Sequence, residues 1–127
     1  MSPESTLFMA KAHKLLAEAE AMLTINLHSA GGRTAYLAGF HAAQAFISER
    51  TGRAVKSHKG VHTEFQRVNR DDSNFPPDLR AFLSRAYNLK AIADYETGPD
   101  AEVSKDEARL AVLQAKRFVA HLEILLG

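Results

Sequence analysis

The sequence predicts an all-α fold, an antiparallel bundle of four longer helices plus one short helix, on three observations. Leu and Ala dominate over Val, Ile and Thr, which favours helix over strand. Apolar residues recur at three- and four-residue steps in several separate stretches, and alternation of period two nowhere lasts long enough for a strand. The length of 127 residues suits one domain, expected over residues 1–127 and large enough to bury a core.

The first helix is expected to start at Ser2, with Pro3 at its first position and Glu4 in the positive first turn. Ala12, Leu15, Leu16, Ala19, Met22 and Leu23 carry its apolar stripe to about His28. Ser29-Ala-Gly-Gly32 is expected to break the pattern and let the chain turn back. The second helix, about Arg33 to Arg50, is apolar around most of its circumference through Tyr36, Leu37, Phe40, Ala43, Phe46 and Ile47, so it belongs at the centre. Gly39 and the intervening alanines permit close approach of its neighbours. Thr51-Gly52 ends it.

A basic loop, Arg53 to Gly60, then enters a short third helix capped by Ser57, along which Val61, Phe65 and Val68 repeat. Arg67 to Phe75 reads as a loop, and Pro76-Pro77 cannot lie inside a helix. The fourth helix is expected from Asp78, with Leu79, Phe82, Leu83, Ala86, Leu89 and Ala93 facing the core. After a connection from Glu96 to Val103, Ser104-Lys-Asp-Glu107 forms a capping box. It opens a last helix striped by Ala108, Ala111, Val112, Ala115, Phe118, Val119, Leu122 and Leu125.

Composition removes several function classes. A net charge of +1, a pI near 8.1 and no Lys/Arg run longer than two residues give no case for nucleic-acid binding by bulk charge. Without cysteine there is neither a disulfide framework nor a thiolate nucleophile. No signal peptide and no run of apolar residues long enough for a membrane span is found, which places the protein in the cytoplasm. There is no Gly-rich phosphate loop, and no cofactor is expected.

The polar groups of interest gather on the fourth helix, where Lys90 and Asp94 form an i,i+4 pair near Tyr87, and Arg85, Asn88 and Tyr95 line a neighbouring strip. His41, inside the apolar second helix, reads as a hydrogen-bonded core histidine. His58 and His62 are also spaced i,i+4, but no carboxylate signature accompanies them, so a solvated or helix-capping pair is expected and no metal.

The run Ala35-Tyr36-Leu-Ala-Gly-Phe40-His41-Ala-Ala-Gln-Ala45, followed by Ser57-His58-Lys59-Gly60-Val61 and then Ala93-Asp94-Tyr95, resembles the HEPN superfamily over nearly the whole chain. It looks most like small prokaryotic HEPN proteins encoded beside a minimal nucleotidyltransferase, often as toxin–antitoxin pairs. Many HEPN proteins are metal-independent ribonucleases with an arginine and, about four to six residues on, a histidine, often followed by x-Tyr. In that chemistry the histidine moves a proton and the arginine stabilises the developing phosphorane charge. If Tyr95 takes the motif's tyrosine position, Ala93 stands at the histidine position and Asn88 at the arginine position. Lys90 and Asp94 then look like an Arg-x-x-Ala-Asp-Tyr variant with Lys for Arg. A literal Arg-x4-His does occur at Arg53 and His58, in the loop entering the third helix.

The resemblance implies a non-catalytic module, a homodimer, that partners a nucleotidyltransferase and holds nucleotide or RNA, with Tyr95 as the residue adenylylated in related pairs. His41, Lys56, Lys59, Arg85, Lys90 and Asp94 are the residues expected to meet nucleotide, RNA or partner. The first alternative is a metal-independent ribonuclease toxin using Arg53 and His58, or His41, with Lys56 and Lys59 on the phosphates. The second is a nucleotide-binding or structural bundle without a partner enzyme.

Overall fold

In the computed structural model, which describes residues 1–127, the chain forms six helices and no strand. They are α1 (Pro3–Thr24), α2 (His28–Thr51), α3 (His58–Asn69), α4 (Pro77–Arg80), α5 (Phe82–Tyr95) and α6 (Lys105–Leu126). The expected caps are present: Ser2 accepts from Ser5 N, Ser57 from Gly60 N, and Ser104 and Glu107 form the reciprocal capping box.

α2 lies at the centre, packed along α1, α5 and α6 and touching α3. Its run from Ala42 to Ser48 is buried without interruption. The core continues through Phe65, Phe82 and Phe118, whose rings meet at centroid distances of 5.4 Å for Phe65 with Phe118 and 4.9 Å for Phe82 with Phe118. Gly39 makes this closeness possible, since a Cβ there would fall 2.3 Å from Phe82 Cε2. No helix is long and apolar enough to cross a membrane.

Three boundaries differ from the sequence expectation. The α1–α2 turn is Ile25-Asn26-Leu27 rather than Ser29 to Gly32. Asn26 adopts φ 61°, and its N–H and that of Leu27 donate to the carbonyls of Leu23 and Met22 at 3.2 and 2.9 Å, which is a Schellman closure of α1. Gly31 and Gly32 lie inside α2 and serve packing: added Cβ atoms would stand 3.0 Å from Leu23 Cδ2 and 3.4 Å from Leu89 Cδ1.

α3 continues through the first residues of the expected loop and ends at Asn69, whose side chain donates to Phe65 O at 2.9 Å. The expected fourth helix is divided at Ala81 (φ −86°, ψ −4°) into α4 and α5. On one side Arg80 is tied to the Asn69 and Asp72 carbonyls. On the other Phe82 is seated against α2 at Gly39, and these two anchors set different directions.

Candidate functional site

Tyr36 carries a hydroxyl into the buried side of α2, and its side chain is fully covered. A buried phenol needs partners for its hydroxyl. They come from the first turn and a half of α3: His58 Nδ1 and His62 Nε2 each lie 2.8 Å from Tyr36 Oη. The hydroxyl can donate to one ring nitrogen and accept from the other, an arrangement that requires the accepting imidazole to be neutral. Around it the His58 ring stacks on Tyr36 with centroids 5.6 Å apart, Phe40 packs on His58 at 4.4 Å, and Tyr87 from α5 stands edge-on to Tyr36 at 5.4 Å.

The electrostatics agree with neutral rings. Burial lowers the pKa of His58, and the nearby Lys90 and Arg33 cations lower it further. Burial also lowers that of His62, with His58 adding to the effect. His41 is lowered by burial as well, against a hydrogen bond to Gln44 Oε1 at 2.7 Å that favours its charged form. Gln44 in turn donates to Val55 O at 2.8 Å, which ties the loop before α3 to α2. Burial raises the pKa of Tyr36, so its phenol stays protonated.

Next to this cluster, one carboxylate joins α2 and α5. Asp94 Oδ2 accepts from Lys90 Nζ at 2.6 Å and Asp94 Oδ1 from Arg33 Nε at 2.6 Å. The Lys90 hydrogen bond, followed by Arg33, holds the Asp94 carboxyl below the usual carboxylate range, and Asp94 raises Lys90. The Lys90 side chain is only 9% exposed, and its ammonium lies over the rings of Tyr87 and Tyr95, 6.0 and 5.4 Å from their centroids. Two cations against one carboxylate leave an excess of one positive charge here. Tyr95, the last residue of α5, is 72% exposed.

The sequence-derived residues are thus divided. His58, Lys90, Asp94 and Tyr95 share one neighbourhood, and His41 is close enough to His58 for a charge there to disfavour its own. Lys56 and Lys59 are exposed on either side of the Ser57 cap. Arg53, 69% exposed, reaches Glu64 at 3.5 Å on α3, whereas His58 turns inward to Tyr36, so the two members of the Arg-x4-His spacing engage separate partners. Arg85 lies elsewhere, on a groove between α5 and α6 with Leu89, Glu107 and Leu110. Sequence reasoning missed Arg33 and the role of Tyr36. A tyrosine in an otherwise apolar helix, together with the His58/His62 spacing, was the available signal.

The fold and site define a class: a small helical bundle whose longest helix is buried at its centre and whose polar groups gather where α2, α3 and α5 meet. The HEPN domain family matches residues 5–125, and the chain belongs to that family. It is 35% identical over 116 residues to a "UPF0332 protein" of Archaeoglobus fulgidus, covering 91% of this chain and 90% of that one. The structure is similar to the crystal structure of TT1696 from Thermus thermophilus, with a TM-score of 0.81, 17% identity and coverage of 96% and 98%.

Proposed function

We propose that this HEPN protein is a non-catalytic module, acting as a homodimer beside a minimal nucleotidyltransferase in a toxin–antitoxin-like pair, and that Tyr95 is the hydroxyl that receives a nucleotidyl group. The observation that carries the reading is accessibility. Of the three tyrosines, Tyr36 is fully buried, Tyr87 is half-buried against it, and Tyr95 is 72% exposed.

In the transfer, Tyr95 Oη attacks the α-phosphorus of a nucleoside triphosphate. The bond to the departing pyrophosphate breaks, and the phenolic proton goes to a base of the partner enzyme. The net positive charge of Lys90, Arg33 and Asp94 favours the incoming phosphates. One feature supports the absence of ribonuclease chemistry: Arg53 reaches Glu64 while His58 turns inward to Tyr36, so the Arg-x4-His pair does not converge on one cleft. Leu110, 54% exposed on α6 and lining the α5–α6 groove with Leu89, supports a second copy as the partner of that groove.

Co-expression with a minimal nucleotidyltransferase encoded beside it, followed by intact-mass measurement and peptide mapping, tests this reading. A nucleotidyl adduct on the Tyr95 peptide, absent in Tyr95→Phe and retained in Tyr87→Phe, is expected. An unmodified chain, or an adduct elsewhere, refutes it.

A further inference from the structure

At the far end of α3 the structure holds an open cleft of about 570 Å³ lined by Thr63, Gln66, Arg67, Arg70 and Arg80. Positions 63, 66, 67 and 70 fall on one face of α3, and Arg80 projects from α4. Arg70, at the C-terminal end of α3, lies about 18 Å along the helix axis from His58 and the Tyr36 cluster.

Its chemistry is uniform. No apolar side chain and no carboxylate lines it. The Arg80 guanidinium is fixed in place, donating to Asn69 O at 2.8 Å and to Asp72 O while lying over the Phe75 ring at 5.5 Å. Those bonds leave further N–H donors of Arg80 for a ligand. Arg67 uses its Nε on Glu64 at 2.8 Å, and the exposed Arg70 guanidinium is engaged by no carboxylate. Of the acids nearby, Glu64 is shared between Arg67 and Arg53, and Asp72 Oδ1 accepts from Asn74 N. Asp71 is exposed beside the cleft.

We propose that this cleft binds a chain of phosphates, held by guanidinium forks and charge. Phe75 is buried beneath Arg80 and offers no face for a base to stack on, so contact is to phosphates and independent of base sequence. Single-stranded nucleic acid and an inorganic polyphosphate present the same chemistry. The proposal does not depend on the assignment of Tyr95.

Fluorescence anisotropy of a labelled oligouridylate of about a dozen nucleotides, titrated with the full chain at several salt concentrations, tests it. Three phosphate contacts give a slope of log K against log salt near −2, at about −0.7 per phosphate. Arg70→Glu is expected to weaken binding by roughly tenfold or more and to flatten the slope by about 0.7. Lys116→Glu on α6, where Lys116 pairs with Glu20, leaves binding unchanged. Competition then separates the sources. Displacement by inorganic tripolyphosphate at equal phosphate concentration identifies a free polyphosphate chain, and resistance to it identifies nucleic acid. Binding that survives Arg70→Glu in a variant with unaltered circular dichroism overturns the proposal. So does absence of binding at low salt, or equal competition by polyglutamate.

Discussion

Replacing Tyr36 with Phe removes one oxygen atom from the centre of the site and leaves the ring packing in place. His58 Nδ1 and His62 Nε2, each 2.8 Å from that oxygen, then lose their partner together. A buried polar atom left unsatisfied costs about 1–3 kcal/mol. Both imidazoles are half-buried, so water reaches part of each ring and the lower end of that range applies. Relief from burying the hydroxyl itself offsets some of the loss. The net destabilisation is about 1–2 kcal/mol. For a domain of this size about 4 °C of melting temperature accompanies each kcal/mol, so Tyr36→Phe is expected to melt about 4–8 °C below the parent by circular dichroism. Tyr87→Phe, which keeps the ring that packs edge-on against Tyr36, serves as the control and shifts by less than about 2 °C. Equal shifts for the two variants, or none for Tyr36→Phe, refute the idea that the histidines are organised by the Tyr36 hydroxyl.

Three further outcomes follow from the same structure. Gly39→Ala brings a Cβ to 2.3 Å from Phe82, and because that ring is stacked on Phe118 it has nowhere to swing. The overpacking cost of about 1–3 kcal/mol outweighs the gain of about 1 kcal/mol in helix propensity, and chemical denaturation should register a loss; a gain in stability contradicts the packing described. Asp94→Asn removes the counter-charge of the nearly covered Lys90 and is expected to cost about 1–2 kcal/mol, discounted for partial exposure. It also lowers the His58 pKa further, because Asp94 is the group that raises it; NMR titration that finds His58 unmoved argues against their proximity. Stability should also fall with acid. His41, His58 and His62 have folded-state pKa values below the unfolded value of about 6.5, so the unfolded chain binds more protons. Their contribution is complete above about pH 6.5 and is lost as pH falls through the folded values. A melting temperature flat between about pH 7 and pH 5 rules this out.

Much of the fold was legible because its determinants are local. The capping box at Ser104 and the stripe from Ala108 to Leu122 lie within one helix, as does the continuous apolar surface that makes α2 central. Gly31 and Gly32 were misread because a glycine pair serves equally as a turn or as a place where helices touch. Only the positions of Leu23, Leu89 and Val103 decide between these, and the turn fell instead to Asn26, which tolerates positive φ. The division at Ala81 carries no Gly or Pro signal, since it arises from Arg80 bonding back to Asn69 and Asp72.

In the site, the Lys90–Asp94 pair could be read from spacing alone, and it forms at 2.6 Å. The depth of Lys90 could not, because its cover comes from other elements. The Tyr36 cluster and the Arg33–Asp94 bond join residues 22, 26 and 61 positions apart. No periodicity spans such separations.

That the histidines here serve Tyr36 rather than a phosphodiester is tested most directly by incubating purified protein with end-labelled RNA in a metal chelator and resolving the products on a gel. The RNA should remain intact, and His58→Ala should behave like the parent. Cleavage by the parent that disappears in His58→Ala or His41→Ala is the result that contradicts it.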